Sequence, residues 1–154
     1  MSITPGTRLD FAHLSEKYLP AIMEIEKEAY PEPWTIGMFR EEMRSKRSYF
    51  YLAFVEGELV GYSGFWLVLD EAHITSLTVA AQHRGAGYGR EQLMHLLSVG
   101  EEKNVRAFTL EVRESNEPAR KLYESAGFHP AGLRKAYYAT TGEDALVMLK
   151  EVQR

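Results

Sequence analysis

Ile74-Thr75-Ser76-Leu77-Thr78-Val79, followed after two alanines by Gln82-His83-Arg84-Gly85-Ala86-Gly87-Tyr88-Gly89-Arg90, is the stretch whose reading decides the fold. Its first half is rich in β-branched residues and reads as the end of a strand. Its second half opens a helix over residues 88–103, with Leu93, Leu96 and Leu97 spaced to share one face. Glycines without Cβ let backbone N–H groups approach an anion closely. The helix start adds unsatisfied donors and the positive end of its dipole. Arg84 and Arg90 are expected to contribute mobile positive charge. Strand, glycine loop and helix together make an anion site, most naturally one for phosphates.

Working outward, the elements alternate in a telling order. A short strand is expected over residues 7–13. A helix follows over 15–30, with Ser15 as its N-cap and Leu19, Ile22, Met23 and Ile25 at helical spacing. Pro31-Glu32-Pro33-Trp34 breaks that helix, and Thr35 caps a second one to about residue 45. Aromatic and apolar runs over 48–55 and 59–67 flank Glu56-Gly57-Glu58, a hairpin signal, and a third run covers 71–79. Beyond the glycine loop come a strand over 105–112, a helix over 117–126, a turn at Gly127-Phe128 into another β region and a last strand over 145–152. Antiparallel strands followed by strand–helix alternation predict an α/β (α+β) fold. It would be one domain over residues 1–154: a mixed, mostly antiparallel twisted sheet of six or seven strands, with four helices on both faces.

At 154 residues the chain can bury a core unaided, and 45% hydrophobic with 26% charged residues is the balance of a soluble globular protein. The net charge of −4 argues against non-specific nucleic-acid binding, which needs a basic face. The absence of cysteine removes disulfides, thiolate zinc sites and a Cys-based acyl-enzyme. No stretch approaches the roughly 20 apolar residues of a membrane helix, and residues 1–10 lack a secretory pattern. The expected setting is the cytoplasm, with no membrane partner. The histidines His13, His73, His83, His95 and His129 show no metal-ligand spacing. They read as surface or packing residues, and no metal is expected.

The phosphate loop fails two common nucleotide patterns on specific residues. A P-loop needs Gly-Lys-Ser/Thr at the helix start, where this chain has Gly89-Arg90-Glu91. A dinucleotide fingerprint beginning at Gly85 needs glycine at position 90, which is arginine. A glycine turn that merely connects strand and helix is the plainer alternative.

The residues resemble instead the GNAT superfamily of acetyltransferases, whose Gln/Arg-x-x-Gly-x-Gly/Ala pattern is matched by Arg84, Gly87 and Gly89. Downstream, Leu110-Glu111-Val112-Arg113, Ser115-Asn116 and Leu122-Tyr123-Glu124-Ser125-Ala126-Gly127-Phe128 look like the ribosomal-protein alanine N-acetyltransferase (RimI) branch. So do Tyr137-Tyr138 with Thr140-Thr141 and Glu143-Asp144-Ala145, and the upstream Ile25-Glu26 and Pro33-Trp34. Ala80-Ala81 departs from the Asp-Pro often found in the family, and the segment after Tyr138 is about two residues shorter than in the ribosomal enzyme.

The resemblance implies acetyl-CoA as co-substrate and direct transfer in a ternary complex. It places the pantetheine arm on Leu77, Thr78 and Val79. The pyrophosphate falls on Arg84, Gly85, Ala86, Gly87, Tyr88, Gly89 and Arg90, and Asn116 also touches the cofactor. Glu111 is implied as base and Tyr123 as acid, with Tyr137 and Tyr138 beside the acceptor. The implied acceptor is a protein or peptide N-terminus; a free small amine is the alternative. A non-catalytic acyl-CoA-binding module is a third reading.

Chemistry gives these residues independent meaning. An α-amine with a reference pKa near ~8 is partly neutral at pH 7, whereas a lysine amine near ~10.4 needs stronger help. A carboxylate can take the proton, and partial burial is expected to raise its pKa toward the working range. Glu111 lies on the strand face opposite Phe108, Leu110 and Val112; the plain alternative is a solvated carboxylate paired with Arg113. Tyr123 carries a phenol that stays protonated at pH 7 and can donate to a thiolate, or it is simply a core aromatic. Asn116 also suits a helix N-cap before Pro118. Tyr137 and Tyr138 point to opposite faces if extended, so that one flanks the acceptor while the other packs.

Overall fold

The computed structural model describes residues 8–153. Its elements are β1 (Asp10–His13), α1 (Leu19–Ala29), α2 (Ile36–Arg44), β2 (Ser48–Val55), β3 (Glu58–Val68), β4 (Glu71–Val79), α3 (Tyr88–Glu102), β5 (Ala107–Arg113), α4 (Glu117–Ser125), β6 (His129–Tyr138) and β7 (Glu143–Glu151). The part of the first expected strand that falls on Thr7 lies outside the described residues. The strands form one seven-stranded sheet in the order β1-β2-β3-β4-β5-β7-β6. Every neighbouring pair is antiparallel except β4 and β5.

Strand alternation sends side chains to two cores. Phe50, Leu52 and Tyr62 pack with Leu19 and Ile22 of α1 and Phe39 of α2 on one face. Phe65, Ile74, Phe108, Leu110 and Met148 pack with Leu93, Leu96 and Leu97 of α3 and with Tyr123 of α4 on the other. Helices therefore cover both faces, as the order of elements predicts. At the second helix, Thr35 Oγ1 accepts from Met38 N at 3.2 Å, as expected of an N-cap. Ser15 does not act that way. Its side chain makes no cap bond, and the expected helix over 15–30 divides into a 3-10 turn at Glu16–Tyr18 and then α1. Pro20 explains the break: it lacks an N–H and is tolerated in the first turn, so the α-helix starts just before it.

One irregularity shapes everything that follows. Gly64 pairs with Ser76 and Phe65 with Ile74, so Thr75 is an extra residue in β4. Such a bulge bends its strand. β4 and β5 pair only from Glu71–Ala107 to His73–Thr109, after which β4 runs on to Val79 and β5 to Arg113. β5 meanwhile holds β7 along its whole other edge. The sheet forks.

Candidate active site

The fork exposes one edge of β4. Thr78 O accepts from Gln92 Nε2 at 2.9 Å, and Ala80 N donates to Val60 O at 2.8 Å, so these two residues face β3. Residues between and beside them in an extended strand face the other way. Leu77 and Val79 thus present N–H and C=O groups to the open edge. Their carbonyls are already engaged: Tyr30 Oη donates to Leu77 O at 3.4 Å and Arg84 Nε to Val79 O at 3.2 Å. Their N–H groups are the donors this edge offers. Gly61 keeps the arrangement possible, since a Cβ there would stand 2.4 Å from Thr78 O.

At the end of that edge the glycine loop turns into α3. Gly85 and Gly87 have φ of 85° and 86°, the left-handed region where other residues are strained. A Cβ built on Gly85 meets nothing within 4 Å, so the loop faces open space. Gly87 is the N-cap residue and supplies no side-chain cap, which leaves the first-turn N–H groups free for an outside acceptor. An anion fits this cradle. Both arginines of the loop make contacts within the chain. Arg84 also bonds Glu28 Oε1 at 3.2 Å, and Arg90 Nη1 donates to Ser125 Oγ at 3.0 Å. Backbone, more than arginine charge, forms the cradle.

Glu111 lies just beyond the last β4–β5 pair, on the face opposite Phe108, Leu110 and Val112. Its side chain is only 10% exposed, and its Oε1 is 2.8 Å from His73 Nε2. Arg134 Nε lies 3.7 Å from Oε2. Two expectations change here. The Glu111 pKa is lowered, not raised, because the hydrogen bond to His73 outweighs burial. His73 is no mere packing residue, since it joins the candidate base. Arg113 is not the partner of Glu111.

Tyr123 is buried in the core beside Phe128, with ring centroids 5.7 Å apart. Burial, then the neighbouring Tyr30 and Tyr138, push its phenol well above the usual range. Packing and a protonated hydroxyl therefore coexist. Asn116 is the N-cap of α4, its Oδ1 accepting from Ala119 N at 3.2 Å. Its amide nitrogen remains a potential donor.

Tyr137 and Tyr138 do not lie on opposite faces. β6 pairs Arg134 with Ala145 and then Tyr138 with Glu143, so two extra residues bulge out between them. Ala136 takes a φ of 49°, and Asp144 Oδ1 accepts from its N–H at 2.8 Å. The bulge brings the two rings edge to face at 5.0 Å. Tyr137 stays 45% exposed, while the Tyr138 ring covers the Arg113 guanidinium at 3.9 Å. Burial pushes the Tyr138 phenol up to about 12, with Arg113 opposing.

Arg113 is the hub on this side. It pairs with Glu32 in the α1–α2 loop and with Glu143, and donates to Thr141 Oγ1 at 3.0 Å. Glu32 Oε2 accepts from Thr140 N at 2.9 Å, and Glu143 Oε2 from Ser115 N at 2.8 Å. Behind it, buried Glu26 accepts from Tyr62 Oη at 2.5 Å and from Trp34 N at 2.9 Å, with its pKa raised by burial. His73 reads from sequence only as a surface or packing residue and Arg113 only as an alternative partner of Glu111, and neither Glu32 nor Glu26 stands out there as part of a site. Strand parity places His73 on the Glu111 face, but the inter-strand register is not written in either segment. Among the described residues, no group of three or more His, Asp or Glu side chains is set to hold a metal.

A forked sheet with an open β4 edge, a glycine loop facing open space and a nearly buried carboxylate on β5 are the features that the comparisons can be set against. The chain matches the Acetyltransferase (GNAT) family over residues 19–128. A Bacillus subtilis (strain 168) protein provisionally named a ribosomal protein bS18 alanine N-acetyltransferase is 39% identical over 128 residues, 82% of this chain and 85% of that protein. The ribosomal protein bS18 alanine N-acetyltransferase of Escherichia coli (strain K12) is 37% identical over 132 residues, 84% of this chain and 88% of that one. The crystal structure of the ribosomal-protein-S18-alanine N-acetyltransferase from Escherichia coli superposes with a TM-score of 0.87 at 33% identity, covering 95% of both chains. This chain belongs to the GNAT family and is an N-acetyltransferase.

Proposed function

We propose that this enzyme transfers the acetyl group of acetyl-CoA to a protein N-terminal α-amine, specifically the alanine of a small-subunit ribosomal protein. The observation that carries the reading is Glu111, a nearly buried carboxylate hydrogen-bonded to His73 where β4 and β5 separate. The names of the similar proteins supply the acceptor class. A ribosomal acceptor fits a cytoplasmic enzyme; among the described residues no helix is long and apolar enough to cross a membrane.

When bound, acetyl-CoA supplies a thioester carbonyl as electrophile. The loop residues Arg84, Gly85, Ala86, Gly87, Tyr88, Gly89 and Arg90 hold its pyrophosphate, chiefly through backbone N–H groups. Leu77 and Val79 hold the pantetheine arm through N–H groups on the open edge, with Thr78 locking the strand from behind. Asn116 donates from its amide nitrogen. The acceptor amine enters between Tyr137, Tyr138 and the α1–α2 loop, against the Arg113 hub.

Proton movement then falls to the side chains at the fork. An α-amine is partly neutral near pH 7, so the carboxylate need not remove a proton from a fully charged ammonium. As nitrogen bonds to carbon its two protons become acidic, and Glu111 Oε takes one of them, directly or through one water, leaving the other on the amide. His73, bonded to the same carboxylate, fixes its orientation. Tyr123 Oη, kept protonated by burial, gives its proton to the departing sulfur.

The test is release of free thiol from acetyl-CoA across a panel of acceptors. A peptide beginning with alanine should be turned over, and the same peptide with a blocked N-terminus should not. Turnover confined to polyamines or amino acids would replace the acceptor. Cofactor binding with no turnover on any amine would leave only an acyl-CoA-binding module.

A further inference from the structure

The backbone cradle raises the question of what holds a loop with two glycines in the left-handed region in one conformation. Arg8 supplies an answer from outside the segment that matches the family. Its Nη2 donates to Ala86 O at 2.8 Å and also bonds the Glu91 carboxylate. Its guanidinium lies over the Tyr88 ring, 5.2 Å from the centroid. The next residue, Leu9, is buried with Ala53 and Val60, and Tyr88 packs against that cluster. β1 then pairs with β2, so the segment carrying Arg8 is anchored to the sheet.

The geometry of one peptide plane turns these contacts into a function. No peptide bond among the described residues is cis, so the Ala86 carbonyl and the Gly87 N–H point in opposite directions. Holding Ala86 O toward Arg8 fixes the Gly87 N–H away from it. That plane turns about the Ala86 Cα–C and Gly87 N–Cα bonds, the second of which glycine leaves soft, and a flipped peptide would present a carbonyl oxygen to an anion. Arg8 itself is no phosphate ligand here. Its Nη2 is shared between Ala86 O and Glu91, and the Glu91 side chain, only 5% exposed, neutralises its charge. The same pair ties the loop to the first turn of α3.

We propose that Arg8 is a positioning residue for the donor site: by holding the Ala86 carbonyl it aims the Gly87 N–H at the pyrophosphate of acetyl-CoA, with Glu91 holding Arg8 in place. The inference rests on the acetyl-CoA reading of the loop, and the experiment separates the two. Steady-state kinetics are measured for wild type, Arg8→Ala and Arg8→Lys with acetyl-CoA and with S-acetylpantetheine, which keeps the thioester and lacks the pyrophosphate. Thermal midpoints are recorded alongside.

Arg8→Ala should raise the KM for acetyl-CoA about tenfold with kcat within about twofold, and leave kcat/KM for S-acetylpantetheine unchanged. Arg8→Lys should recover part of the loss. If Arg8→Ala does not fold, Glu91→Gln carries the same comparison with a smaller shift in the same direction. An equal loss with both donors would mean a general structural role and overturn the proposal. So would an unchanged KM for acetyl-CoA. A wild type that uses both donors equally well would instead overturn the pyrophosphate reading of the loop itself, and the proposal with it.

Discussion

On the proposed assignment, the donor side and the acceptor side of this site are built differently. The donor side is mostly local and made of backbone: the open edge of β4, the Gly85–Gly87 turn and the start of α3 follow one another in the chain, with the Arg8 side chain bracing the turn from a distance. The acceptor side is assembled from side chains remote in sequence. Arg113 reaches Glu32 across 81 positions, and Glu32 reaches the Thr140 N–H across 108. A local backbone site can be carried by a short pattern and serve many enzymes. A site made of distant charges can change its acceptor by single substitutions while the reaction is kept.

The largest effect should come from the point where the two sides meet. Glu111→Gln is expected to lower kcat by about 100-fold or more, the scale of general acid–base catalysis, with the acetyl-CoA KM within about twofold. Tyr123→Phe should act in the same direction, about tenfold. Unchanged rates in either variant would remove that residue from the chemistry.

On the donor side, Gly87→Val forces a β-branched residue into a left-handed conformation that costs about 1–2 kcal/mol. The acetyl-CoA KM should rise about tenfold while the acceptor KM stays put, because 1.4 kcal/mol is about a factor of ten. On the acceptor side the pattern reverses. Glu32→Gln weakens a charge-assisted pair with Arg113, and should raise the acceptor KM about fivefold without moving that of acetyl-CoA. Steady-state kinetics with each substrate varied in turn check both; equal shifts in both KM values would erase the contrast.

The smallest effect concerns pH. Burial raises the Glu26 pKa in the folded protein, so the contribution of its neutral form is fully present below the unfolded value and is lost as pH rises through the folded one. Glu111, Glu32, Glu143 and Asp144 are lowered and act oppositely, losing their contribution as pH falls. Glu26→Gln keeps an acceptor for Tyr62, gives up the one for Trp34 N, and removes the ionisation; the lost bond shifts the melting temperature at every pH, and the ionisation alone makes the shift pH-dependent. The melting-temperature difference between wild type and variant should therefore drift against wild type as pH rises through and above the ordinary carboxylate range. A pH-independent difference would contradict the sign.

The same contrast explains what could be read in advance. Element order, both helix-covered faces and the anion loop are legible because alternation, glycine and helix spacing are local signals. Glu111 is legible through parity with Phe108, Leu110 and Val112. Its lowered pKa is not, since that depends on a parallel register bringing His73 across from β4. The contacts of the loop arginines are not legible because their partners, Glu28 and Ser125, lie far along the chain. Tyr137 and Tyr138 mislead for a different reason: simple alternation fails where two extra residues bulge from β6.

The central claim is tested most directly by locating the acetyl group. A synthetic peptide with an N-terminal alanine and an internal lysine is incubated with enzyme and acetyl-CoA, and the product is fragmented in a mass spectrometer. The account predicts a single acetyl group on the alanine α-nitrogen. Acetylation of the lysine alone, or of added small amines with the peptide untouched, would contradict it.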